Sequence, residues 1–134
     1  MLLKGLKVVE FSSYIAAPGA AGILCDWGAD VIKVERPEGD PMRNVFADAK
    51  SELTGNPTFA LDNRGKRGIV LDISKPEGRD ALAKLAEEAD VFLTNVRPAA
   101  LKRARLDEAT LRAANPRLVY AVITGYGLEG PDAH

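Results

Sequence analysis

Asn95, Arg97 and Arg103 are the residues of this sequence whose types and spacing best suit the binding of an anion. Asn95 ends an apolar run that predicts a strand, and both arginines follow it within about two helical turns. With Lys102 and Arg105 they form a local positive cluster in a chain whose formal net charge is only −1. Guanidinium groups pair bidentately with phosphate, so the cluster favours polyphosphate binding, and a solvated basic helix face is the alternative.

Arg36 is a further basic candidate because it directly follows a predicted strand at residues 30–35. A guanidinium there can stack on a base or pair with phosphate, although a solvated turn residue is the alternative. The loop at residues 12–19 is rich in small side chains and leads into a helix, which suits either phosphate binding or close helix-on-sheet packing. It lacks the Gly-x-Gly-x-x-Gly pattern of dinucleotide-binding folds, and this counts against a dehydrogenase.

No pair of side chains in the sequence predicts acid–base or metal chemistry. Glu10 is interpreted as an ordinary carboxylate at a packing edge, and Lys66 and Arg67 as solubilising charges before a predicted strand. With one cysteine and one histidine, the chain can neither close an internal disulfide nor supply a metal cluster. We therefore predict no catalytic residue and no metal ligand in these residues.

The elements that carry the candidate residues alternate between strands and helices. Short β-branched runs predict strands at residues 7–11, 30–35, 68–72, 91–93 and 118–124. Helices are predicted between them, one from Pro18 to a stop at Gly28, one opened by Pro76 and one capped by Asp107. This order predicts an α/β fold, Rossmann-like and doubly wound, with a mostly parallel sheet. Ligands bind beyond the carboxyl ends of such strands, which places the glycine-rich loop at residues 125–131 near a site.

Residues 37–67 interrupt this pattern, because glycine and proline recur throughout the segment. The apolar side chains that could anchor it are Phe46, Leu53, Phe59 and Leu61. Loops of this length without secondary structure are uncommon and are often functional. We expect a partly ordered excursion from the sheet.

The composition is that of one globular domain. At 134 residues with 46% hydrophobic side chains, the chain can build one core and is too short for a second full domain. The 18 basic and 19 acidic side chains give no overall field that would attract nucleic acid or an anionic membrane. No segment has the roughly 20 uncharged apolar residues that cross a bilayer. We expect no nucleic-acid or membrane partner and a cytoplasmic location.

Several short motifs resemble, in order and spacing, the N-terminal part of the class III coenzyme A (CoA) transferase family. This family includes formyl-CoA transferase, carnitine CoA-transferase and α-methylacyl-CoA racemase. The matching motifs are LKVVEF at residues 6–11, GADVIKVERP at 28–37, NRGKR at 63–67, NVRP at 95–98, NPRLVY at 115–120 and GYG at 125–127. The resemblance covers essentially the whole chain but only the first part of a family member.

By this resemblance, residues 1–134 form the N-terminal CoA-binding, Rossmann-like half of the family's large domain. The adenosine diphosphate part of CoA is expected near the tips of its strands. The positions that match CoA contacts of the family are Tyr14, Ile15, Arg36, Leu71, Ser74, Lys75, Asn95, Val96, Arg97 and Arg103. The family's catalytic aspartate, in a Gly-Asp motif, is expected downstream of the loop at residues 125–131, so these 134 residues are expected to be inactive alone.

The resemblance implies an enzyme that moves CoA between an acyl thioester and a carboxylic acid through an aspartyl anhydride. Acyl-CoA and the acid are then its small-molecule partners, no metal is needed, and the complete protein is an interlocked homodimer. A racemase of the α-methylacyl-CoA type and a non-catalytic nucleotide- or CoA-binding module are the alternatives. Two departures, Ala99 and Arg105 where the family usually has glycine, affect the backbone on either side of Arg103.

Overall fold

The computed structural model describes residues 1–45 and 55–133, and one parallel β-sheet forms the centre of the fold. Its five strands are β1 (Lys7–Phe11), β2 (Asp30–Glu35), β3 (Arg67–Val70), β4 (Val91–Thr94) and β5 (Val119–Val122). They lie in the order β3-β2-β1-β4-β5, and every neighbouring pair is parallel. The predicted Rossmann-like, doubly wound sheet is therefore confirmed, because this is the strand order of that fold.

Helices connect the strands, and local signals fix several of their ends. They are α1 (Ala16–Asp26), α2 (Pro57–Asp62), α3 (Pro76–Glu87), α4 (Pro98–Ala104) and α5 (Glu108–Ala114), with a 3₁₀ turn at Pro41–Asn44. Gly28 follows α1 with a φ of 101°, a left-handed value that favours glycine. The Asp107 side chain caps α5 by accepting a hydrogen bond from the Thr110 amide. None of the described helices is long and apolar enough to span a bilayer.

Alternate residues of the central strands face opposite layers of helices. On one face, Val8 and Val31 pack with Ala17 and Ala21 of α1. On the other face, a larger cluster joins the strands to α3, α4 and α5: Val9, Phe11, Val34, Leu82, Ala86, Phe92, Leu101, Leu106, Leu111 and Leu118. Because both faces are covered, the carboxyl ends of the central strands are held in fixed relative positions.

Several element boundaries differ from the predictions, and helix α4 was not predicted; β5, for example, spans Val119–Val122 and not residues 118–124. Helix α1 begins at Ala16, so Pro18 lies inside its first turn, where a missing N–H leaves no intrahelical bond unmade. Strand β3 ends at Val70, two residues earlier than predicted, and its residues are exposed because it forms an edge of the sheet. Helix α4 was not among the predicted elements, because it has only seven residues and, unlike the equally short α5, no capping side chain before it.

In the excursion predicted at residues 37–67, the described residues include the 3₁₀ turn and α2. Two of its proposed anchors lie outside the described residues, Phe46 and Leu53. Leu61 is exposed and anchors nothing, whereas the ring centre of Phe59 lies 3.9 Å from the guanidinium carbon of Arg43. Met42, which the pattern did not indicate, is buried in this segment instead.

Candidate functional site

The carboxyl ends of β1 and β4 meet at the topological switch point of the sheet, where ligands bind in folds of this kind. Asn95 spans this point. Its Oδ1 accepts a hydrogen bond from the Ser13 amide at 3.0 Å, and its Nδ2 donates to the Ser13 carbonyl at 2.7 Å. Asn95 therefore continues the pairing of β1 with β4 beyond the strand ends, and its amide forms part of the floor of a cleft.

A cleft of about 440 Å³ lies at this point. It is lined by Phe11, Ser12, Ser13, Val34, Glu35, Arg36, Gly39, Asp40, Pro41, Ile73, Asn95, Val96, Arg97 and Ala100. Four of the predicted site residues, Arg36, Asn95, Val96 and Arg97, are thus brought together from two strand ends that are far apart in sequence. The parallel pairing of β2, β1 and β4 is what makes them neighbours.

Two further clefts adjoin the first through shared lining residues. The second cleft shares Arg36 with it and also contains Ser74 and Arg103. The third shares Val96 and Arg97 with it and extends to the glycine-rich loop after β5. The three clefts together follow the carboxyl edge of the sheet.

The arginines along these clefts differ in what they contact. Arg36, Arg97 and Arg103 are exposed, and none of them forms an ion pair within the described residues. Arg79, in the second cleft, instead donates to two backbone carbonyls of the loop between β3 and α3. Arg79 therefore shapes that loop, whereas the three unpaired guanidinium groups are available to an anion.

Tyr14 and Ile15 lie in the turn between β1 and α1, beside the switch point. Their side chains are 52% and 54% exposed, and they are not among the residues that line the three clefts. Tyr14 has a φ of 66°, in the left-handed region that residues other than glycine rarely adopt. Its amide donates a hydrogen bond to Asp40 Oδ1 at 3.1 Å.

Leu71 and Lys75 also lie outside the three clefts. The Leu71 amide donates to the Glu35 carbonyl at 2.9 Å, and its side chain packs against the larger core cluster. The Lys75 ammonium lies 3.5 Å from Asp72 Oδ2 in an exposed pair. Both residues belong to the loop whose Ser74 lines the second cleft, so they border the site without lining it.

The structure contradicts the interpretation of Glu10 and Lys66. Glu10 is fully buried, and the Lys66 ammonium lies 2.6 Å from its Oε2. Lys33 lies 2.9 Å from Glu10 Oε1 and 2.9 Å from Asp40 Oδ2. We call Glu10, Lys33, Asp40 and Lys66 the buried charge cluster. Its two positive and two negative charges balance, which burial away from water requires.

Burial and pairing act in opposite directions on Lys66. Burial lowers the pKa of its ammonium, and the neighbouring Glu10 carboxylate offsets this only in part. Besides Glu10, the ammonium contacts the Pro18 carbonyl at 2.8 Å and Asn63 Oδ1 at 2.9 Å. Three donors thus have three acceptors, and this stabilises the charged form in a buried position.

A more exposed pair supports Asp40 from the other side. Arg43 donates to both carboxylate oxygens of Glu35, at 2.7 and 2.8 Å, and the Asp40 amide donates to the same carboxylate at 2.9 Å. The hydrogen bonds from Arg43 lower the pKa of the Glu35 carboxyl. Within the described ranges, no group of His, Cys, Asp or Glu side chains is arranged to hold a metal ion.

The sequence does contain a signal for part of the buried charge cluster. Strands β1 and β2 each carry one interior charge among β-branched and aromatic side chains, Glu10 and Lys33, with opposite signs. In a parallel sheet with both faces covered, such charges are buried and must pair. The two residues are direct partners in the β1–β2 register. Asp40 and Lys66 come from loops and have no comparable signal.

Comparison with known proteins places this chain and its fold in one family. The model of CoA-transferase family III matches residues 3–134. The chain belongs to CoA-transferase family III. The resemblance inferred from the short motifs is therefore confirmed over the length of the chain.

Curated members of CoA-transferase family III are similar to this chain throughout its length. The (R)-2-hydroxy-4-methylpentanoate CoA-transferase of Clostridioides difficile is 45% identical over 133 residues, which cover 98% of this chain and 33% of that protein. The cinnamoyl-CoA:phenyllactate CoA-transferase of Clostridium sporogenes is 43% identical, over 98% of this chain and 32% of that protein. The chain thus spans about a third of the length of these relatives.

Solved structures of the family agree with the fold. A CAIB/BAIF family protein from Brucella suis superimposes with a TM-score of 0.88 at 43% identity, over 97% of this chain and 35% of that one. Rv3272 from Mycobacterium tuberculosis gives a TM-score of 0.86 at 36% identity, over 98% of this chain and 35% of that one. The switch point and its clefts are therefore described on a backbone that the family shares.

Proposed function

We propose that this chain is the CoA-binding part of an enzyme that transfers CoA from an acyl thioester to a carboxylic acid. The observation that carries the proposal is a set of exposed arginines along the switch-point clefts of a family III member, Arg36, Arg97 and Arg103, which form no ion pair with residues 1–45 or 55–133. The two curated relatives named above are both CoA-transferases, which favours a transferase over a racemase or a non-catalytic module.

CoA has the charge pattern that these clefts suit. Its 3′-phosphate and pyrophosphate are anionic, and Arg36 and Arg103 face one cleft together with Ser74. These side chains hold the phosphates through charge-assisted hydrogen bonds. The less polar pantetheine arm lies along Val96, over the floor that Asn95 and Ser13 form. In this arrangement the chain fixes the long CoA molecule and so orients its thioester.

The chemical step belongs to a residue outside this chain. A carboxylate attacks the thioester carbonyl carbon, the carbon–sulfur bond breaks, and CoA leaves as a thiolate, which produces an aspartyl anhydride. The thiolate then attacks the aspartyl carbonyl of the anhydride, which releases the donor carboxylate and leaves CoA on the aspartate as a thioester. The acceptor carboxylate attacks this thioester and expels the thiolate, and the thiolate attacks the acceptor carbonyl of the second anhydride, which forms the new thioester and frees the aspartate. We assign this aspartate to the part of the protein beyond these residues, and we assign no catalytic residue within them.

We also propose that the complete protein is a homodimer in the cytoplasm. Both edge strands of the sheet carry exposed apolar side chains, since Val70 of β3 is 61% exposed and Val119 of β5 is 58% exposed. Exposed apolar edges of this kind favour association. A complete protein that sediments as a monomer at high concentration would contradict the dimer.

Calorimetric titration of CoA into the protein expressed from its full reading frame tests the proposed function. The Arg36→Ala and Arg103→Ala variants should each bind CoA at least about tenfold more weakly, since a hydrogen bond to a charged group contributes roughly 1.5 kcal/mol or more. Arg112→Ala is the matched control, because Arg112 is exposed on α5, pairs with Glu108 and lies outside the clefts. A double variant that combines Arg36→Ala with Arg103→Ala and binds CoA as tightly as the wild type would reject the site. A wild type that does not bind CoA would reject the function.

A further inference from the structure

The turn between β1 and α1 adopts a backbone conformation that its sequence does not favour. Tyr14 has a φ of 66°, and an aromatic residue adopts this left-handed conformation only where its surroundings impose it. Helix α1 then begins at Ala16, and the side chain of its N-cap residue, Ile15, makes no capping hydrogen bond. Something outside the turn must therefore hold it in place.

The buried charge cluster contacts the chain on both sides of Tyr14. At the start, Ser12 Oγ donates to Glu10 Oε1 at 2.7 Å, and the Lys33 ammonium lies 3.4 Å from the Ser12 carbonyl oxygen. After the turn, the Lys66 ammonium donates to the carbonyl of Pro18, in the first turn of α1, at 2.8 Å. Residues on either side of Tyr14 are thus bound to the same group of charges.

Asp40 provides the contact to the middle of the turn. Its Oδ1 accepts hydrogen bonds from the Tyr14 amide at 3.1 Å and the Met42 amide at 2.9 Å, and its Oδ2 lies 2.9 Å from the Lys33 ammonium. The Asp40 residue is 3% exposed, so solvent does not compete for these contacts. Because Lys33 also binds Glu10, the position of Asp40 is coupled to that of the strands.

We propose that the buried charge cluster is a positioning device that fixes the β1–α1 turn beside the CoA cleft, and that Asp40 is the positioning residue that acts on Tyr14. The proposal deepens the proposed function and rests on it only for the statement that the turn faces CoA. Asp40 contacts the backbone of the turn and acts on the ligand through that backbone. Apolar side chains could fill the same volume, but they could not accept a hydrogen bond from the Tyr14 amide.

The first test compares Asp40→Ala with the wild type in the protein expressed from its full reading frame. Hydrogen exchange of the peptide that contains residues 12–19 should speed up at least about tenfold, and the Kd for CoA should rise about tenfold. Asp107→Ala is the matched control, since Asp107 makes the same kind of side-chain contact with the Thr110 amide at the start of α5. The control should lower thermal stability and leave both the exchange of the turn and the Kd unchanged.

A second test uses the backbone preference of residue 14. Glycine adopts a φ near 66° without strain. In a Tyr14→Gly background, the Asp40→Ala substitution should therefore change the hydrogen-exchange rate of residues 12–19 less than it does in the wild type. Exchange effects of Asp40→Ala that are equal in both backgrounds would overturn the proposal, because they would show that Asp40 does not act on this conformation.

A third variant keeps the proposal testable if Asp40→Ala does not fold. Lys33→Met leaves the cluster with one excess negative charge, whereas Lys33→Met combined with Asp40→Asn restores neutrality and retains an oxygen for the Tyr14 amide. The double variant should therefore protect the turn better than Lys33→Met alone, and the reverse order would overturn the proposal. A wild type without CoA affinity rejects the proposed function, while unchanged exchange in Asp40→Ala rejects the positioning role whether or not CoA binds.

Discussion

Two groups of basic side chains lie near the site and differ in what surrounds them. Lys33 and Lys66 are buried in the charge cluster, where each contacts one oxygen of the Glu10 carboxylate. Arg36 and Arg103 are exposed along the clefts and form no ion pair within the described part of the chain. The same sign of charge therefore has two roles. A buried cation is committed to its partners and determines structure, whereas an exposed and unpaired cation is free to bind an anion.

The comparison also explains why the two groups use different side chains. A lysine ammonium is compact and can satisfy all three donors inside a small polar cavity, as Lys66 does. An arginine presents a planar fork that matches a phosphate from the surface. The buried group determines where the β1–α1 turn lies, and the exposed group gives the clefts their positive charge.

The largest expected effect comes from breaking the buried group. Lys33→Met should lower the free energy of unfolding by about 3–5 kcal/mol, because it leaves two buried carboxylates with one cation. Lys102→Met, which removes an exposed lysine from α4, should change it by less than about 0.5 kcal/mol. Urea unfolding of both variants measures these free energies. Equal losses of stability in the two variants would remove the distinction between the buried and the exposed cations.

A smaller effect is expected for the half-exposed pair that supports Asp40. Arg43→Ala should lower the free energy of unfolding by about 1.5 kcal/mol at pH 7, which is the low end of the range for a hydrogen bond to a charged group. Since Arg43 lowers the pKa of Glu35, the stability from this pair is present above the usual value of 4.5 and is lost as pH falls through the lower folded-state pKa. The difference in the free energy of unfolding between the wild type and Arg43→Ala should thus become smaller at acid pH. A Glu35→Gln background should abolish that pH dependence, and a difference that instead grows in acid would contradict it.

Salt should separate the two groups further. Raising the salt concentration from about 50 to 500 mM screens exposed charges, so the affinity for CoA should fall about tenfold. The stability difference between wild type and Lys33→Met should stay nearly constant over the same range, because buried pairs are screened much less. Calorimetry and urea unfolding at both salt concentrations check the two statements, and a CoA affinity that does not depend on salt would argue against binding through the exposed arginines.

The smallest effect tests an exposed arginine whose backbone is strained. Arg105 follows α4 with a φ of 60°, where glycine avoids a penalty of about 1–2 kcal/mol but loses more entropy on folding. Arg105→Gly should therefore raise stability by about 0.5–1 kcal/mol, measured as an increase in Tm of about 2–4 °C. Since Arg105 lines none of the three clefts, the Kd of the Arg105→Gly variant for CoA should stay within about twofold of the wild-type value. A much weaker affinity would place Arg105 in the binding group.

Much of the fold could be predicted because its signals are local. Strands β1 and β2 lie where short β-branched runs placed them, Gly28 and Pro76 mark helix ends, and Asp107 caps α5 as predicted. Each of these signals acts within one turn or one strand, so the chain near the residue is sufficient to decide it. Helix α4 was missed because it lacks such a signal: its N-cap residue, Arg97, makes no capping hydrogen bond, whereas Asp107 marks the start of the equally short α5.

The site was predicted less completely, because side chains from distant segments decide it. The sequence by itself determined the order of strands and helices, the cation content of the loops and the family to which the motifs point. Only the tertiary structure decided that Asn95 binds Ser13, that Lys66 is buried against Glu10, and that Asp40 contacts the Tyr14 amide. These contacts depend on the register of β1 with β2 and β4 and on the exclusion of water from the buried charge cluster, and no local stretch of sequence determines either.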